Sequence, residues 1–251
     1  MGEGQRARSQ MLGEARVVVE LGDTPPRGLV VVPPAGGTGF TVAGLTEGDK
    51  PEHVPYVKAG YAVLSFNMRG TLPPRAKRPQ AEAAARAFVE GDGGLQDAVS
   101  ALDLTFEELG YQLPAKRVFA AGHSSAASLV RSLAALEPHI QAVLAYAPVA
   151  DFSSWIEGKP MSQIVGAVDG ARELAHEQAP IRLVSSIRQP VFLFHAVDDP
   201  VVAVSESHRL ATALAGAGNR AKLVTVPSGG HYDAMIGTGI PAGIKWLASF
   251  D

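Results

Sequence analysis

Short runs of β-branched and aliphatic residues alternate with segments of helical spacing, and this rhythm constrains the fold more than any other feature of the chain. Residues 17–20, 29–32, 61–66, 117–121, 141–146, 191–195 and 222–226 read as buried strands. Segment 94–109 carries Leu95, Val99, Leu102, Phe106 and Leu109 at helical steps, and 125–136, 205–217 and 240–250 are helical in pattern. Strands alternating with helices predict an α/β fold: a mostly parallel central sheet with helices on both faces. No repeat or low-complexity linker divides the chain, so one domain is expected over 1–251.

Two stretches break the rhythm. Segment 71–90 opens with Pro73, Pro74 and Pro79 and carries Arg75, Lys77, Arg78 and Arg86. It reads as a solvated excursion ending in a short helix, or as a basic rim that attracts acidic substrates. Segment 151–187 holds Trp155, Ile156, Met161, Ile164 and Val165 and reads as a small cap, or as one crossover helix over 167–177 behind an apolar loop. In the cap reading, Trp155, Ile156 and Met161 roof a small apolar substrate pocket.

Composition removes several function classes. With 22 basic and 25 acidic residues the formal charge is −3, so no basic excess suggests a nucleic-acid footprint. Cysteine is absent, which excludes a disulfide framework, a thiolate zinc site and a thiol nucleophile, and is compatible with a reducing cytoplasm. No apolar run reaches the roughly 18 residues of a membrane span. Segment 1–16 is polar and basic without an apolar stretch, so neither a secretory signal nor membrane association is expected.

The chemistry concentrates in three loops. Gly122-His123-Ser124-Ser125-Ala126 follows a strand and precedes a helix, the setting of a sharp nucleophile turn. Such a turn needs small residues two before and two after the nucleophile. Gly122 and Ala126 satisfy this around Ser124, whereas His123 is too bulky for Ser125 to be the centre. A serine hydroxyl needs a base. His231, after Pro227-Ser228-Gly229-Gly230 and a strand, is the candidate. The other histidines fit less well. His53, His139, His176 and His208 read as surface residues, His123 as pointing away from the nucleophile, and His195 as bonded to its neighbouring loop. An acid must orient the imidazole. Asp198 and Asp199 both lie just past the strand 191–195, and serine, acid, histidine is the chain order of one hydrolase fold.

With these motifs the chain resembles the α/β-hydrolase superfamily. It is similar to the catalytic domain of prolyl-oligopeptidase-type serine hydrolases and to dienelactone-hydrolase-like esterases, over about 29–246. Gly60-Tyr61-Ala62-Val63, Asn67-Met68-Arg69-Gly70, the serine turn, the Asp199 segment and Gly229-Gly230-His231 carry the likeness. The resemblance implies His195 as anchor and Asp199 as the acid, with Asp198 as runner-up. Ala196 and Ala126 stand where the family usually has glycine.

An oxyanion hole needs two N–H donors. The turn geometry assigns one to Ser125. The other falls in Pro33-Pro34-Ala35-Gly36-Gly37-Thr38-Gly39, where the prolines have no N–H and Gly36 is the first choice, ahead of Ala35 or Gly37. These glycines lack the spacing of a phosphate loop or a dinucleotide fingerprint. The expectation is a serine hydrolase acting on small carboxylic esters through Ser124, Asp199 and His231, with no metal or organic cofactor. The alternatives are a prolyl-oligopeptidase-like peptidase or its isolated catalytic domain, and a non-catalytic binding protein on the same fold. The last typically loses a triad residue, and here all three positions are filled.

Overall fold

The apolar runs assemble into one twisted layer. A computed structural model describes residues 8–12, 17–35, 40–72, 75–114, 117–152 and 166–250. Its strands are β1 (Arg8–Leu12), β2 (Val17–Leu21), β3 (Leu29–Val31), β4 (Ala62–Phe66), β5 (Val118–His123), β6 (Ile140–Tyr146), β7 (Val191–Ala196) and β8 (Ala221–Val226). They form a sheet of order β1-β2-β4-β3-β5-β6-β7-β8. The β1–β2 and β2–β4 pairings are antiparallel. Every other pairing is parallel. The expected mostly parallel sheet is present. Its central strands are buried on both faces, which is why β4, β5 and β7 read as largely apolar runs.

The helices are α1 (Lys50–Lys58), α2 (Arg78–Glu90), α3 (Leu95–Leu109), α4 (Ser125–Leu136), α5 (Ala171–Glu177), α6 (Val204–Gly216) and α7 (Ile240–Leu247). Alternation along β3 divides the core. Leu29 and Val31 join Leu102 of α3, Val130 of α4 and Leu210 of α6 on one face. Val30 and Val32 join Tyr56 of α1 and Leu247 of α7 on the other. Each such buried aliphatic side chain contributes about 1.5–3 kcal/mol.

One strand adds to the sequence reading, and two expectations are corrected. The added strand is β1, held at the sheet edge by β2. Segment 71–90 ends in a full 13-residue helix rather than a short one. Ala85 and Phe88 on its inner side pack with Phe40, Val168 and α5, so the excursion is docked on apolar contacts. His53, expected on the surface, is 4% exposed, with Nδ1 3.4 Å from Glu20 Oε1. The reason is α1, which the sequence pattern hides. Pro51 is tolerated in its first turn, Pro55 lies inside it, and tertiary packing against β4 and α7 keeps it helical.

Candidate active site

The parallel strands deliver three loops to one end of the sheet. β5 runs directly into Ser124, whose φ of 54° and ψ of −117° are strained for a residue with a side chain. The strain is held by the Ser124 N–H, which donates to the Tyr146 carbonyl at 2.9 Å, and by α4, which starts at the next residue. A Cβ on Gly122 would collide with the backbone of Ala126, so the small residue before the turn is a steric requirement. Ser125 opens α4, and among the described residues its N–H has no acceptor, as for the first donors of any helix. Gly36, the expected second donor, lies outside the described residues, as do Gly37, Trp155, Ile156 and Met161.

The loop after β7 places two aspartates side by side with different partners. Asp199 is closed off from solvent, and its Oδ2 accepts from His231 Nδ1 at 2.7 Å. Its Oδ1 accepts from the N–H groups of Val201 and Val202 at 2.8 and 2.9 Å. Burial opposes the charged carboxylate, but the hydrogen bonds from His231, Val202 and Val201 outweigh it and hold the Asp199 pKa below the usual value. His195 Nε2 donates to Asp199 Oδ2 at 3.1 Å and to the Val202 carbonyl at 2.9 Å, while the Ser207 hydroxyl lies 2.7 Å from Nδ1. With two acceptors at Nε2, the proton sits there and Ser207 donates to Nδ1. His195 thus bonds its neighbouring loop as expected, and burial lowers its pKa.

His231 follows Gly229 and Gly230, whose φ values of 122° and 63° only glycine adopts without strain. The structure brings His231 together with Asp199 and with the residue before Ser124. His123 Nε2 lies 2.9 Å from the His231 carbonyl, and the two rings stand 4.5 Å apart between centroids. His123 thus lies beside the candidate base: successive side chains of β5 alternate faces, and the face that takes His123 is the one His231 covers. Burial, then the neighbouring His231, lower the His123 pKa to about 4, so its ring is neutral at ordinary pH. Asp198, weighed only as an alternative acid, accepts from the Gly229 and Gly230 N–H groups at 3.2 and 2.8 Å. Among the described residues the Ser124 hydroxyl has no hydrogen bond to His231. Such bonds are often long without substrate.

A narrow apolar recess, with about 20 Å³ of enclosed space, borders Ser125 and Ala126, walled by Val42, Met68, Phe88 and Leu129. Sequence reading missed it because its walls come from four separate segments. Its enclosed space takes about one water-sized group.

Comparison with known proteins fixes the family. The model of the prolyl oligopeptidase family matches residues 50–249, a stretch that contains all three loops. The chain belongs to the prolyl oligopeptidase family. Among solved structures it is similar to a puromycin-hydrolyzing peptidase of Mycobacterium tuberculosis (20% identity, TM-score 0.75), covering 98% of this chain and 39% of that one. It is similar to the acylaminoacyl peptidase of Pyrococcus horikoshii (14% identity, TM-score 0.72), covering 99% of this chain and 41% of that one. A candidate carboxylesterase from Lactobacillus plantarum matches at 15% identity and TM-score 0.69, covering 98% of both chains. At these identities the likeness is one of fold. The chain spans about two fifths of the length of the peptidases. No curated protein matches by sequence. Among the described residues no helix is long and apolar enough to cross a membrane.

Proposed function

We propose that this member of the prolyl oligopeptidase family is a serine hydrolase that cleaves short peptides or aminoacyl amides through an acyl-enzyme on Ser124. The observation that carries the reading is the enclosed Asp199–His231 pair at 2.7 Å, at the same sheet end as the strained Ser124 turn. In this mechanism His231 Nε2 takes the Ser124 proton as the hydroxyl oxygen attacks the carbonyl carbon. Asp199 stabilises the imidazolium that results. The negative oxygen is received by the Ser125 N–H and by a second donor from 35–37. His231 then gives its proton to the leaving amine. Water, activated by the same histidine, attacks the acyl-enzyme and restores Ser124. No metal or organic cofactor takes part in these steps.

The sequence reading put small carboxylic esters first. Family membership favours the peptide-type reading instead, because the match is to a peptidase family. Ester cleavage is kept as the second reading for one reason: the carboxylesterase-like structure is matched over 98% of both chains, with no further domain in that relative to gate peptides. The third reading, a binding protein without catalysis, has no observation in its favour.

A fluorophosphonate probe tests the nucleophile. The expected outcome is a single adduct on Ser124, located by mass spectrometry and abolished in Ser124→Ala. An adduct on Ser125, or none on a folded protein, would overturn the reading.

A further inference from the structure

We propose that Asp198 and His123 are positioning residues that clamp the backbone of the His231 loop, each standing one residue before a proposed catalytic side chain. The inference rests on the reading of Ser124, Asp199 and His231 as the catalytic set. The loop needs holding from outside. Gly229 and Gly230 take left-handed conformations at φ 122° and 63°, which the unfolded chain samples along with many others. One internal bond, Ala234 N–H to the Gly229 carbonyl at 2.9 Å, closes its far side.

Two contacts grip the rest. The Asp198 carboxylate accepts from both glycine N–H groups at 3.2 and 2.8 Å, charge-assisted bonds to the two residues that lead into His231. The His123 Nε2–H donates to the carbonyl of His231 itself at 2.9 Å, and its ring lies against the His231 ring. The amide side and the carbonyl side of the loop are thus fixed to different catalytic loops. With its backbone set, the His231 ring has only its own torsions left to fix, and the Asp199 bond fixes them. Asp198 meets the loop's backbone rather than the imidazole: its oxygens lie on the Gly229 and Gly230 N–H groups, and His231 Nδ1 is held by Asp199. His123 is 5% exposed and neutral at ordinary pH, so it adds no positive charge beside the histidine that must become an imidazolium.

The arrangement predicts a defect in turnover rather than in binding, since a base displaced by a fraction of an ångström loses its line to the serine proton. Asp198→Ala and His123→Phe should each lower kcat by about 10- to 100-fold with KM within about twofold. The rate of fluorophosphonate labelling at Ser124 should fall in parallel. Conservative variants should rescue: Asp198→Asn keeps an oxygen for the Gly230 N–H, and His123→Gln keeps a donor for the His231 carbonyl. Thermal unfolding of each variant gives the folded fraction. Labelling of all four variants at the rate of the unmodified protein would overturn the clamp while leaving the triad reading intact. So would losses fully accounted for by unfolded protein, or Asp198→Asn no better than Asp198→Ala. Failure of the unmodified, folded protein to form any Ser124 adduct would instead overturn the triad reading.

Discussion

At the scale of single residues, neighbours in sequence meet different partners because successive side chains leave the backbone in different directions. Ser124 and Ser125 differ by one position, yet only Ser124 sits in the strained turn, and Ser125 offers a backbone N–H. Ser124→Ala should lower kcat by about four or more orders of magnitude, whereas Ser125→Ala should keep most of the activity, as read by kcat/KM on an activated substrate. Asp198 and Asp199 are divided in the same way. Asp199→Asn should cost about 10⁴ in kcat, because an amide cannot stabilise the imidazolium and favours the wrong tautomer, far more than Asp198→Asn. The reverse ranking would mean that the bonds at His231 Nδ1 and at the glycine N–H groups have been given the wrong functional weights. The choice between the two serines followed from sequence, since side-chain bulk at Gly122 and His123 decides it. The choice between the two aspartates came only from family resemblance, because nothing local distinguishes adjacent carboxylates.

At the scale of elements, α1 is the helix that packing rather than pattern creates, and it carries a carboxylate at an energetic disadvantage. Glu52 lines a small recess with Tyr56, Tyr146 and Gly122, where the Tyr56 and Tyr146 hydroxyls meet at 2.6 Å. Burial raises the Glu52 pKa to about 7, with His53 opposing and Asp49 adding to the shift. Between pH 4.5 and about 7 the folded protein keeps a proton that the unfolded chain has lost, so this group costs stability as pH rises through that window. Glu52→Gln should therefore raise stability at pH 8 by about 1–3 kcal/mol and have little effect near pH 4. Chemical unfolding at the two pH values checks it; equal gains at both would remove the carboxylate's charge as the cause. The same window acts in the opposite sense at His123, which is buried neutral and loses stability for the fold as pH falls from 6.5 toward about 4.

At the scale of the whole molecule, the question is what bond the site cleaves. The recess beside Ser125 is apolar and has room for little more than a methyl-sized group, so on the proposed reading a short acyl group such as acetyl or alanyl is the expected fit. Measured kcat/KM for alanyl and prolyl anilides should exceed what the p-nitrophenol and aniline leaving groups alone predict relative to acetate and butyrate esters. If this recess holds the acyl group, octanoate should be cleaved at least about tenfold more slowly than butyrate. Ester turnover without any anilide cleavage would move the assignment to an esterase. Rapid octanoate cleavage would remove the recess as the acyl site.

The sequence by itself determined the layered α/β architecture, because buried parallel strands must be apolar throughout and their covering helices must repeat at 3.6 residues. It also determined the serine turn, because the steric demand of a strained strand-to-helix turn falls on residues within two positions of it. What it left open depends on contacts between distant segments. β1 is polar enough to be an edge and becomes a strand only against β2. α1 has two prolines and a weak helical pattern, and it forms because β4 and α7 receive it. The His123 bond to His231 joins residues 108 apart in sequence, and the Asp198 bond to Gly230 joins residues 32 apart. Local propensity acts over a turn or two of chain, whereas hydrogen bonds and packing act over a few ångströms of space. Only the assembled sheet turns the second kind of neighbour into a partner for the first.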